Sequence, residues 1–186
     1  MNLLQPTKGH LLVAEPSIIG DASFNRSVIL LADYNEKGSL GFVLNKPTEF
    51  FLGDFIPDLD TDFTIYSGGP VETENLYFIH CIPDLIEDSE EIAAGIFWGG
   101  DFEKVIQLIK EGQITKSCVQ FFLGYSGWGP LQLDDELEEH TWVVVENRQD
   151  SKIIGPRTDA LWRETLIELG EKYAVFSNAP ENPNYN

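Results

Sequence analysis

The side chains best suited to chemistry lie in a glycine-rich stretch, residues 124–128, with the sequence GYSGW. The stretch nearly matches Gly-x-Ser-x-Gly, in which small neighbours let a nucleophilic serine project from a sharp strand-to-helix turn. Trp128 stands where the second glycine is needed, and its ring would crowd such a turn. We therefore interpret Ser126 as structural and assign no catalytic residue. The alternative is a small hydrolase with a glycine-turn pocket around Ser126 and His80.

The same glycines precede a predicted helix, and the backbone N–H groups at a helix N-terminus can bind phosphate. Asp134, Asp135 and Glu136 lie about one turn from that N-terminus and would oppose an anion. Carboxylates at this position favour the helix dipole instead. Helix capping is therefore the simpler interpretation of these residues.

Metal-binding patterns in the chain are incomplete. Asp58, Asp60 and Asp62 alternate as in the opening of a calcium-binding loop, but that loop needs glycine where Phe63 stands and glutamate where Gly69 stands. The three histidines of the chain are too far apart in sequence to show ligand spacing. We predict no metal site and no cofactor.

Small residues in turns at the ends of predicted strands form the candidate binding site. Such turns are typical of ligand or partner sites built on loops, and they are equally typical of turns that only determine the fold. The two interpretations stay open at this point. The candidate residues for binding a ligand or partner are Arg26, Asn45, Gly68, Gly69, Pro70, His80, Tyr125, Ser126 and Trp128.

The charge of the chain argues against nucleic acid as a partner. The 186 residues include 31 acidic and 12 basic side chains, for a formal net charge of −19. Affinity for DNA comes largely from lysine and arginine neutralising phosphates, and no basic cluster is present in the sequence. The acidity is also consistent with a role in solubility alone.

Composition predicts a soluble, cytoplasmic protein that folds as one domain over residues 1–177, with a flexible tail at 178–186. The chain is 42% hydrophobic, enough for a full core. No apolar run reaches the length of a membrane span, and residues 1–9 lack a signal pattern. Cys81 and Cys118 lie in apolar strand-like contexts, which favours reduced, buried thiols over a disulfide.

A strand and a helix on either side of the glycines must position the residues of this stretch. Residues 118–123 have the β-branched and aromatic content of a buried strand. Pro130 suits the first turn of a helix, and Leu133 and Leu137 lie four apart on one face of that helix. The pattern predicts strand, glycine turn, helix.

The rest of the chain alternates short apolar runs with turn signals, and two helical stripes interrupt them. Strands are predicted at 9–14, 27–34, 39–44, 63–66, 76–81, 92–98, 141–146 and 173–176. Helices are predicted after Asp101 as N-cap and over 158–170, and residues 48–62 are predicted as a loop or a single helical turn. Adjacent pairs of strands favour an antiparallel or mixed α+β arrangement.

Several stretches match one bacterial family at its own spacing. They are residues 9–16, 24–29, 41–47, 68–71 with 76–80, and 121–137. Together they resemble the YqgE/AlgH family, and the resemblance runs from Gly9 to about Pro183. The family commonly has alanine at the position of Ser126. It usually has a glycine before Gln132, where this chain has Pro130-Leu131.

The resemblance implies an α+β fold whose mainly antiparallel or mixed sheet curls into a small barrel-like core, with helices packed outside. It implies no reaction. The family carries the label of transcriptional regulator through one member's association with exopolysaccharide control, and the charge argues against direct operator binding. We expect a cytoplasmic regulatory or binding protein that acts through an unknown protein or small-molecule partner.

Overall fold

The computed structural model describes residues 4–16, 18 and 21–178. The strands within them are β1 Leu11–Ala14, β2 Val28–Asn35, β3 Gly38–Val43, β4 Pro47–Phe51, β5 Thr64–Ser67, β6 Val71–His80, β7 Glu90–Ala93, β8 Ile96–Trp98, β9 Val119–Trp128 and β10 Trp142–Val145. The helices are α1 Phe102–Lys110, α2 Gln132–Glu138, α3 Asp159–Glu168 and α4 Glu171–Ala174. Short 3₁₀ turns cover Leu52–Asp54, Asp150–Ile153 and Val175–Asn178.

The sheet is mainly antiparallel and runs in the order β10-β1-β2-β3-β9-β6-β8-β7. β5 pairs with β9 in parallel, and β4 pairs with β5 in antiparallel fashion. The α+β class is therefore confirmed. The barrel-like closure expected from the family resemblance is wrong, because the sheet is not closed.

The long central strand β9 explains why the sheet branches. One edge of β9 pairs with β6. The other edge is divided, since residues 121–123 pair with β5 and residues 126–128 pair with β3. The sheet therefore divides on that side into the β3-β2-β1-β10 branch and the β5-β4 branch.

Helices cover both faces of the sheet. Side chains alternate along each strand, so Leu11 and Val13 face the core beneath α3 while Leu12 and Ala14 face the opposite side. That opposite side holds one cluster beneath α1 and another beneath α2. On the first face, the buried Trp162 of α3 donates from Nε1 to the carbonyl of Ala14 at 2.9 Å, which fixes the helix to β1.

Local sequence signals locate several elements correctly. Asp101 is the N-cap of α1, and its Oδ1 accepts a hydrogen bond from the Lys104 N–H at 3.1 Å. The hairpin of β2 and β3 turns at residues 36–37, between Asn35 and Gly38, as the four-residue signal predicts. Thr158 caps α3 in the same way as Asp101 caps α1.

Other sequence expectations were wrong. Residues 48–62, predicted as a loop or a single helical turn, do contain one 3₁₀ turn at Leu52–Asp54, but they also contain most of β4. The predicted strand 92–98 is a hairpin whose turn residues Ala94 and Gly95 have φ values of 51° and 77°, as tight hairpin turns require. The predicted extended piece 173–176 is helical. Apart from Asn178, which ends a 3₁₀ turn, the predicted tail 178–186 lies outside the described residues.

Candidate functional site

The glycine-rich stretch is the C-terminal half of β9 and not a turn. β9 continues to Trp128, and only residues 129–131 turn the chain into α2. Gly124 has φ +69°, and a Cβ there would lie 2.6 Å from the Val71 carbonyl oxygen. Glycines here allow strands to approach closely, so the expected strand–glycine turn–helix arrangement is wrong in where it places the turn.

Gly68 and Gly69 pack directly on this half of β9. A Cβ on Gly68 would come 2.3 Å from the Gly124 carbonyl oxygen, and one on Gly69 would come 2.3 Å from the Tyr125 backbone. The Gly68 N–H donates to the Leu123 carbonyl at 2.9 Å, so that donor is already used. Pro70 follows as an exposed residue at the start of β6. The glycines are explained by backbone contact between the strands.

Ser126 is fully buried, and its Oγ donates to the Gly68 carbonyl at 3.1 Å. His80 is also fully buried but lies at the far end of β6, opposite Val119 of β9. Ser126 stands seven residues beyond Val119 on the same strand. At a rise of about 3.3 Å per residue, the two side chains are separated by roughly 23 Å, which is too far for a nucleophile and its base.

The surroundings of His80 are aromatic. Its ring stacks on Phe97 with centroids 5.8 Å apart, and its Nδ1 accepts the Ile82 N–H at 3.3 Å. Burial lowers the pKa of His80 below its ordinary value, and the Gly99 backbone opposes this shift. The imidazole is therefore neutral at neutral pH and packs as a core residue.

Arg26 and Asn45 form a second group. Asn45 is fully buried, donates from Nδ2 to the Arg26 carbonyl at 2.8 Å and accepts the Val28 N–H at 2.9 Å. Arg26 has φ 55°, and its guanidinium lies 5.3 Å from the centre of a ring of Trp162. The amide of Asn45 thus holds the backbone where the chain enters β2.

Two of the nine predicted site residues, Tyr125 and Trp128, line an open groove of about 550 Å³ between β9 and the β2–β3 hairpin. Beside them lie Gly127, six residues of the β2–β3 hairpin and Val71 of β6. The lining is Asp33, Asn35, Lys37, Gly38, Ser39, Leu40, Val71, Tyr125, Gly127 and Trp128. The groove therefore has a wall of the half-buried Tyr125 and aliphatic residues, to which the nearly buried Trp128 adds little surface, and a charged hairpin at its rim.

Sequence reasoning missed the hairpin side of this groove. Asp33 and Lys37 lie far from β9 in sequence, and only the pairing of Ser39 with Trp128 brings the hairpin to the strand. No spacing rule connects residues so distant along the chain. Asn35 donates to Asp33 and accepts the Lys37 N–H, both at 2.8 Å, which holds the hairpin rim in one conformation.

A metal-binding cluster and a membrane-spanning helix are both absent from the part of the chain that the structure describes. No group of three or more histidine, cysteine, aspartate or glutamate side chains there is arranged to hold a metal ion. Within those same residues, no helix has the length and apolar character needed to cross a membrane. Cys81 and Cys118 are free thiols, and each is half-buried where full burial was expected.

The fold and groove define an α+β protein in which the motif side chains hold backbone segments together. The sequence model of the AlgH-like family matches residues 11–174, and the chain belongs to this family. Similar chains include UPF0301 proteins of Chlorobaculum parvum, 38% identical over 96% of this chain and 95% of the relative, and of Cytophaga hutchinsonii, 39% identical over 97% and 99%.

Two solved structures have the same fold. The AlgH protein of Pseudomonas aeruginosa, determined in solution, has a TM-score of 0.69 at 26% identity, covering 97% of this chain and 98% of that one. Protein DIP2367 of Corynebacterium diphtheriae has a TM-score of 0.78 at 22% identity, covering 96% and 95%. The second likeness concerns the fold alone.

Proposed function

We propose that this chain is a cytoplasmic binding protein with a regulatory role, in which residues 1–177 act as one domain and the groove beside Tyr125 and Trp128 engages a small ligand or a protein segment. One observation carries the proposal. The buried polar side chains of the motifs, Ser126 and Asn45, are occupied with backbone partners, whereas Tyr125 and Trp128 line an open groove. Aromatic walls with a few polar groups at the rim are typical of ligand sites.

The hydrolase alternative has no supporting geometry. Ser126 is buried and donates to a main-chain carbonyl. His80 is a neutral core residue of β6, opposite the other end of β9. A nucleophile needs its base within hydrogen-bond reach. The net charge of −19 likewise speaks against direct regulation of DNA, so a regulatory role would operate through another molecule.

The test compares two glycines on either side of Trp128. A Cβ added at Gly127 would lie in the groove, 3.1 Å from the Tyr125 ring, whereas one added at Gly129 meets its nearest atom at 3.8 Å. Neither glycine has a positive φ. Gly127→Ala therefore narrows the groove, and Gly129→Ala is the matched control.

Tagged wild-type protein and both variants are expressed in the native host and purified, and bound molecules are quantified by native mass spectrometry and proteomics. We expect a molecule that is retained by wild type and Gly129→Ala but depleted at least tenfold with Gly127→Ala. Equal retention by all three chains would exclude the groove as the binding site. Sub-micromolar duplex DNA binding that weakens steeply with salt would exclude the indirect mode of action.

A further inference from the structure

Three phenylalanines stand on the surface where β4 ends. Phe50, Phe51 and Phe55 are 45%, 43% and 46% exposed, and the rings of Phe50 and Phe55 meet edge to face with centroids 5.7 Å apart. Phenylalanine is among the side chains most often buried, and the contact between Phe50 and Phe55 makes an exposed apolar patch of the kind that marks an interaction surface. We refer to Phe50, Phe51 and Phe55 as the phenylalanine ledge.

The backbone beneath the ledge is firmly held. Leu52 is fully buried and donates its N–H to the Phe63 carbonyl at 2.8 Å, and the Phe51 N–H donates to Asp54 Oδ2 at 2.7 Å. The Phe55 N–H closes the turn on the Leu52 carbonyl at 3.1 Å. A preorganised surface loses little conformational entropy when a partner binds, so the exposed rings are presented in a form ready for contact.

An open cavity of about 630 Å³ adjoins the ledge, lined by residues 53–60. Phe55, Ile56 and Leu59 contribute apolar surface to this cavity. It is shallow and open to solvent, so a partner segment that crosses the ledge can also contact its apolar lining.

The rim of the ledge is acidic. Its exposed carboxylates are Glu49, Asp54, Asp58 and Asp60. No lysine or arginine occurs in the sequence between Lys46 and Lys104. A second copy of this chain would bring the same rim and a charge of −19, and a phosphate-bearing surface would also be repelled. The occupant that complements both features is apolar and basic.

We propose that the phenylalanine ledge docks a short, basic, amphipathic segment of a partner protein. Its large apolar side chains contact the exposed rings and the apolar lining of the adjoining cavity, and its lysines or arginines face the rim carboxylates. Aromatic anchors surrounded by complementary charge are typical of protein interfaces. The ledge shares no lining residue with the groove beside Trp128, so this inference is independent of the proposed function of that groove.

The test uses a synthetic 14-residue peptide of leucine and lysine at amphipathic helical spacing, titrated into the full chain at physiological ionic strength. Calorimetry gives the Kd, and amide chemical shifts give the location. The double variant Phe50→Ser, Phe55→Ser removes two rings of the ledge. Phe176→Ser, at a residue 44% exposed and near the other end of the chain, is the matched control.

We expect the double variant to weaken binding at least tenfold, Phe176→Ser to leave the Kd unchanged, and shift changes to concentrate in residues 49–62. Asp58→Asn with Asp60→Asn should weaken binding and reduce its salt dependence. Equal binding by the double variant would show only a general attraction to an acidic chain and overturn the proposal. Absence of peptide binding would also overturn the proposal. So would a dimer of the wild-type chain that the double variant no longer forms.

Discussion

Trp128 and Trp142 donate their indole N–H groups to the same carboxylate oxygen, Oε2 of Glu136, at 2.8 and 2.7 Å. Their rings meet edge to face with centroids 6.1 Å apart, and both are nearly buried. One α2 side chain thus joins the last residue of β9 to the first residue of β10. Trp128, where a nucleophile turn would need a glycine, serves as a structural anchor.

Removing this shared acceptor should destabilise the protein. Glu136→Ala leaves two buried indole donors without their acceptor, and an unsatisfied buried donor costs about 1–3 kcal/mol. We expect a loss of about 2–4 kcal/mol in the free energy of unfolding, with about 1 kcal/mol or less for Glu136→Gln, which keeps an acceptor. Urea unfolding provides the measurement. Glu139→Ala, an exposed change just after α2, is the control.

Truncating Trp128 and Ser126 in turn tests whether these β9 side chains contribute to stability or to a chemical function. Trp128→Ala should cost about 3–5 kcal/mol, as buried tryptophans do. Ser126→Ala should cost only about 1 kcal/mol, because the Gly68 carbonyl still accepts the Val43 N–H at 3.0 Å. Thermal melts measure both. If Ser126→Ala kept its stability yet reproduced the phenotype of a gene deletion, the serine would be functional.

Backbone contact should make Gly69 irreplaceable. Its φ is +151°, and an added Cβ would lie 2.3 Å from the Tyr125 backbone, where no flexible side chain can yield. Gly69→Ala should therefore fail to fold or lose more than about 3 kcal/mol. Gly129→Ala should retain parental stability, because its added Cβ would make only an ordinary contact at 3.8 Å. Chemical denaturation with near-ultraviolet circular dichroism distinguishes the two, and a stable Gly69→Ala protein would refute the close packing.

His80 should contribute to acid sensitivity. Its folded pKa lies below the ordinary 6.5 because burial disfavours the charged ring. The unfolded chain then binds the proton more readily, so the stabilisation is complete above about pH 6.5 and decreases as the pH falls towards the folded pKa. His80→Phe should flatten the dependence of the unfolding midpoint on pH below about 6.5. An unaltered slope in His80→Phe would contradict the assignment.

Cys81 should alkylate slowly at neutral pH. Burial raises the pKa of its thiol, and neighbouring Cys118, whose carbonyl accepts the Cys81 N–H at 3.0 Å, raises it further. Since the thiolate is the nucleophile, iodoacetamide should modify Cys81 slowly at pH 7 and rapidly after denaturation. Peptide mapping of a time course measures this. Rapid native labelling, or a disulfide in protein kept from oxidants, would contradict a reduced, unreactive thiol.

The sequence by itself determined the features that depend on neighbouring residues or on composition. Asp101 and Thr158 begin helices because a capping side chain acts within its own turn. The β2–β3 hairpin follows from its turn residues, and the net charge of −19 follows from counting charged residues. The family motifs also lie in contiguous stretches, which made the resemblance visible before the fold was known.

Only the tertiary structure decided what the glycines do. A glycine in the sequence predicts a turn and a close approach of two strands equally well. Which of the two it forms depends on the strand that pairs with it, and that strand is distant in sequence. The same long-range pairing separates Ser126 from His80 by roughly 23 Å along β9. The fold also brings Trp128 and Trp142 to one carboxylate of Glu136 and leaves the sheet open. It also leaves the phenylalanine ledge exposed, because side-chain burial depends on which elements pack above a strand and not on hydrophobicity alone.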